Sequence, residues 1–130
     1  MAADLYRLLA GYQGENMRII FTSTGEGWDS KIDPRFGRTD FILVYDTEKD
    51  ELEAHDNREI KEVAHGAGPK TAQKIHELKA DVLITGNGPG GNAATILNKM
   101  PLKIFIRAGG MSIREAYEAY KDDALEPGAQ

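Results

Sequence analysis

From Met17 onward, short apolar runs alternate with polar, glycine-rich connections. Arg18-Ile-Ile-Phe-Thr-Ser-Thr24 is dense in β-branched and aromatic residues and stops at Gly25, which predicts a strand. Gly, Asp, Ser and Pro then punctuate a long loop from Gly25 to Gly37. Thr39-Asp-Phe-Ile-Leu-Val-Tyr45 predicts a second strand and 46–50 a polar turn. Glu51 to Asn57 alternates weakly and reads as a third strand at a sheet edge, hairpin-paired with the second. Beyond a polar connector the period changes. Ala72, Ile75 and Leu78 share one face of a helix predicted over Lys70–Lys79, and Pro69 suits its first turn, where a missing N–H costs nothing. A strand at Asp81–Thr85, a loop at Gly86–Gly91, a helix at Asn92–Met100, a strand at Leu102–Ile106 and a helix at Ser112–Lys121 follow, the last opened by a Ser112/Glu115 capping box.

The expected order is β-β-β-α-β-α-β-α: an α/β domain with five strands in one mixed sheet and helices packed on it. Right-handed crossovers would set the last two strands parallel to the first. The domain is expected over 17–125, with 126–130 as a tail. Leu5, Leu8, Leu9 and Tyr12 recur at helical spacing before Gly14, so 1–16 reads as an N-terminal extension: helical, a tag, or translation from an upstream start.

Composition narrows the chemistry. A net charge of −5 is poorly suited to wrapping a nucleic-acid backbone by charge alone, and neither nucleic acid nor membrane is an expected partner. With no cysteine, a bound metal must rely on His, carboxylate, thioether or backbone donors, or arrive with its own ligands. No apolar run approaches the roughly 18 residues of a membrane span, and no secretory leader is legible; a cytoplasmic protein is expected. Oligomeric state is left open.

Three loops could carry a site. Gly86-Asn-Gly88-Pro-Gly-Gly91 fits G-x-G-x-x-G between a strand and a helix. It comes late in the chain, however, and Arg107 stands where an acidic ribose partner is expected. The loop therefore reads as a tight packing turn, a dinucleotide site, or a general anion site at a helix N-terminus. His65-Gly66-Ala-Gly68 makes a second such entry, and His65 is the candidate metal ligand; His55 and His76 fit no zinc spacing. The third loop, Asp33-Pro-Arg-Phe-Gly-Arg38, offers Arg35 and Arg38, suited to bidentate anion recognition. Each arginine could instead be solvated or paired with Asp29, Asp33 or Asp40, and Phe36 could anchor the loop in the core. All three loops are expected at the carboxyl ends of strands, where open α/β sheets bind ligands. A two-metal nuclease needs central carboxylates, but the first strand carries Thr22, Ser23 and Thr24, and Asp81 precedes its own strand. No Ser-His-Asp arrangement is legible, and no enzyme is expected.

The stretch Ser30-Lys-Ile-Asp-Pro-Arg-Phe-Gly-Arg38, with His65-Gly-Ala-Gly68 and Asp81-Val-Leu-Ile-Thr-Gly-Asn-Gly-Pro89, resembles the dinitrogenase iron–molybdenum cofactor family, the domain type of NifX, NafY and the C-terminal part of NifB. The resemblance spans about 17–125. It implies a ribonuclease H-like fold and a non-catalytic carrier of an iron–sulfur–molybdenum or related cluster, with cluster-assembly proteins as partners. Arg35, Arg38, Gly66, Gly68, Gly86 and Gly88 would then supply anion contacts, and His65 a cluster ligand. A nucleotide- or phosphate-binding module using Gly86–Gly91, and a regulatory domain recruiting partners through 1–16, are the alternatives.

Overall fold

The computed structural model describes residues 17–128; the helix expected within 1–16 lies outside them. Six strands form one mixed sheet: β1 (Arg18–Ser23), β2 (Phe41–Asp46), β3 (Glu51–Asp56), β4 (Val82–Ile84), β5 (Lys103–Ile106) and β6 (Glu126–Pro127). Their spatial order is β3-β2-β1-β4-β5-β6. β1, β4 and β5 run parallel, while β2 is antiparallel to both β1 and β3, and β6 to β5. Among the described residues, four helices accompany the sheet: α1 (Arg58–Lys61), α2 (Ala67–Glu77), α3 (Gly91–Leu97) and α4 (Ile113–Lys121).

The period-two alternation of the strands divides the core into two layers. Ile20, Ile42, Val44, Leu83 and Ile104 face α2 and α3, meeting Ala72, Ile75, Ala93 and Leu97. Ile19, Phe21, Leu43, Tyr45, Val82 and Ile84 face α4, meeting Ile113 and Ala116. Half-buried Trp28 joins Tyr45 and Tyr117 on this side, with ring centroids 4.9 and 5.9 Å away.

Three expectations need correction. The sheet has six strands, not five: Glu126–Pro127, read as tail, pairs with Ile106 and Phe105. The polar connector holds a single helical turn, α1. And α2 begins at Ala67 rather than Lys70, so Gly68 lies within the helix and not in a loop. Gly66 serves as its N-cap at a φ of 80°, a conformation that favours glycine.

Candidate functional site

The carboxyl ends of the three parallel strands share one edge, and the loops leaving them meet there. At the centre is the Asp33–Arg38 loop. Phe36 pins it by burying its ring in the α2/α3 layer. Asp33 pins its start: the residue is fully buried, its N–H donates to Thr22 O (2.9 Å), and its carboxylate accepts from the Arg35 N–H (3.0 Å) and the Asp40 N–H (3.3 Å). The Arg35 Nε and Nη2 donate to the two Asp33 oxygens at 3.0 Å each, a bidentate pair. Burial pushes the Asp33 carboxyl up. The Arg35 hydrogen bonds and charge, with the Asp40 N–H, outweigh it and hold the group below the ordinary carboxylate value.

The two arginines therefore play different parts. Arg35 takes one of the anticipated acidic partners, yet its side chain stays 49% exposed and its remaining donors are uncommitted by that pair. Arg38 takes none of them. Its Nη1 donates to Lys61 O and to Val63 O (3.1 Å), clamping the end of α1, while Lys61 is ion-paired with Asp40. The next residues are Ala64, exposed His65 and Gly66. Arg38 thus holds the segment that carries His65.

Glycine lets these loops touch backbone to backbone. A Cβ on Gly37 would stand 2.6 Å from Gly68 N, and one on Gly86 would overlap Pro34 Cα. The contacts are tied by hydrogen bonds from Thr71 Oγ1 to Gly37 O (3.1 Å) and from Asn87 N–H to Pro34 O (2.7 Å). Gly68 and Gly86, read from sequence as anion contacts, are thus committed to close packing. Gly88 has room: its nearest neighbour would be the Ile106 methyl at 3.7 Å. The first turns of α2 and α3 carry no capping side chain, and their starts adjoin through Gly68 and Ala93.

Sequence reasoning missed two supports. A buried hydroxyl pair, Thr22 and Thr85 (2.8 Å apart), links β1 to the end of β4; Thr22 also donates to Asp33 O. A fourth loop, after β5, joins the rim: Arg107 takes a left-handed φ of 63°, donates its N–H to Gly86 O (2.7 Å) and pairs its side chain with Glu126. The Gly109-Gly110 pair was the available signal for that turn. Among the described residues, no three His, Asp or Glu side chains gather to hold a metal ion, and no helix is long and apolar enough to cross a membrane.

The site is thus a loop-built, cysteine-free rim at one edge of an open α/β sheet. The chain belongs to the dinitrogenase iron–molybdenum cofactor family, whose model matches residues 17–123. Its structure is similar to that of the apo form of the orange protein from Desulfovibrio gigas, at 32% identity and a TM-score of 0.81, covering 88% of this chain and 94% of that one. It is also similar to the NMR structure of a candidate NifB protein from Thermotoga, at 30% identity and a TM-score of 0.72, covering 85% and 92%. The crystal structure of PH0822, 19% identical with a TM-score of 0.67 over 88% of this chain and 98% of that one, shares the fold. No curated protein sequence matches the chain significantly.

Proposed function

We propose that the protein binds and carries an anionic metal–sulfur cluster of the iron–molybdenum type, or a precursor of one, without transforming it. Family membership supports a cluster as cargo. The observation that carries the location is the junction of the Asp33–Arg38 loop with the starts of α2 and α3. There, half-exposed Arg35, exposed His65 and the first turn of α3, which no side chain caps, stand on one rim. That donor set fits cargo arriving with its own sulfide ligands: arginine and N–H groups bond to sulfide, and His65 offers a single metal ligand. It does not fit a bare metal ion, which needs several protein donors. We also read the strand order β3-β2-β1-β4-β5, with β2 antiparallel, as a ribonuclease H-like arrangement extended by β6.

Anaerobic titration with tetrathiomolybdate, alone and with copper(I) or iron(II), tests the reading through the charge-transfer absorption of the bound species. Saturable binding, weakened in Arg35→Ala and His65→Ala, is expected. No spectral change, or wild-type binding in both variants, rejects it.

A further inference from the structure

The loop between β4 and α3 holds a chemical feature that cluster binding does not explain. Asn87 and Gly88 are both exposed. Among the described residues, the Asn87 carboxamide makes no hydrogen bond, and neither does the Gly88 N–H. The flanking backbone, by contrast, is held: the Asn87 N–H donates to Pro34 O at 2.7 Å.

We infer that Asn87–Gly88 is a site of spontaneous succinimide formation, through which the neutral Asn87 carboxamide becomes a carboxylate on the candidate binding rim. A base removes the Gly88 N–H proton and the nitrogen attacks Asn87 Cγ. A C–N bond forms, and the carboxamide nitrogen leaves as ammonia with the returned proton. Water then opens the five-membered imide at either carbonyl, giving aspartate or isoaspartate. The net change is addition of water and loss of ammonia, with no redox step. Gly88 has no side chain to hinder the approach.

The other described asparagines are poorly placed. Asn57 is fully buried, and its Nδ2 donates to Thr39 O and Thr71 Oγ1. Asn92 lies inside α3, and Asn98 caps its end ahead of Lys99. Among the described residues, only Asn87 combines exposure, a free carboxamide and a following glycine.

The consequence for binding rests on the cluster reading above. A new negative charge in the loop that leads into α3 repels anionic cargo, and isoaspartate also lengthens the backbone of a loop packed on Pro34. The modification would mark aged protein as a poorer carrier.

Ageing the full chain at mildly alkaline pH and body temperature, followed by peptide mass spectrometry and enzymatic isoaspartate methylation, tests the chemistry without any metal. A gain of one mass unit confined to the Asn87 peptide, with methylation of that peptide, is expected. Gly88→Ala has space for its methyl group and should melt like wild type while slowing the reaction by about tenfold or more through restricted backbone freedom. An unmodified Asn87 peptide, or Gly88→Ala reacting at the wild-type rate, overturns the inference. Asn87→Asp should bind tetrathiomolybdate several-fold more weakly than fresh wild type; equal binding overturns the consequence. Fresh wild type failing to bind counts against the cluster reading alone, since the mass measurement decides the chemistry at Asn87 independently.

Discussion

Replacing Asp33 with Asn keeps the shape of the side chain and removes its charge. The carboxylate accepts four hydrogen bonds: the N–H groups of Arg35 and Asp40, and the Nε and Nη2 of Arg35. A carboxamide has one acceptor oxygen, so its NH2 must confront a donor, and about half of these bonds are lost. Hydrogen bonds to a charged group contribute about 1.5–3 kcal/mol each. The guanidinium is half exposed, so solvent screens its share toward the low end. A loss of about 2–3 kcal/mol follows, lowering Tm on the order of 10 °C for a domain of this size. The effect must also depend on pH. The folded carboxyl sits below its ordinary value of 3.8. Its stabilisation is therefore complete above that value and is lost as pH falls through the folded one. Urea melts of both proteins across a pH series give the difference directly. It should be constant near neutrality and shrink in acid. A difference below about 0.5 kcal/mol at neutral pH, or one that persists unchanged in acid, refutes the role assigned to Asp33.

Four further measurements address the other supports. Gly37→Ala and Gly86→Ala drive a methyl group into the backbone of Gly68 and Pro34, and each should cost about 1–3 kcal/mol or more by overpacking; thermal melts no lower than that of Gly88→Ala contradict this. Arg38→Ala releases the carbonyls of Lys61 and Val63, so amide exchange over 62–66 should accelerate. For tetrathiomolybdate binding it should be non-additive with His65→Ala, with a coupling of about 0.5–3 kcal/mol; additive losses would make Arg38 a direct contact. Ser112→Ala removes the acceptor for the Glu115 N–H and should cost about 1 kcal/mol in a chemical melt; an unchanged midpoint would show that the capping box is dispensable.

Much of the scaffold was legible because burial on both sheet faces leaves strong patterns. Ile19, Ile20 and Phe21 form a continuous apolar run in a strand covered by helices on both sides. What escaped was short or ambiguous. β6 is two residues long, too short for a period, and includes Pro127. The start of α2 was hidden because Gly-Ala-Gly-Pro carries loop composition while folding as a first helical turn. At the site, residue type was legible but role was not. Gly86 and Gly88 look alike in sequence, yet one is pressed against Pro34 and the other has room for a methyl group. Arg35 and Arg38 are likewise three positions apart with the same side chain. Only tertiary structure decides that one meets a buried carboxylate and the other a pair of carbonyls.

That division of labour shapes what the rim can attract. Asp33 offsets the charge of Arg35, so the pair as a unit exerts little net pull on an anion at a distance. What it supplies is direction: a guanidinium held flat by two bonds loses little freedom when its remaining donors engage a ligand. Arg38 is the reverse case. Its carbonyl partners carry no formal charge, so its positive charge is not neutralised by them and still contributes to the field over the loop. On the proposed reading, attraction and orientation fall to different arginines, and both depend on the same short loop. Because that loop packs directly on Gly68 and Gly86, a shift at Asp33 or Phe36 would move both guanidinium groups, the His65 segment and the start of α2 together. Glycine at 37 and 86 is therefore explained by backbone contact between the loops that build the rim.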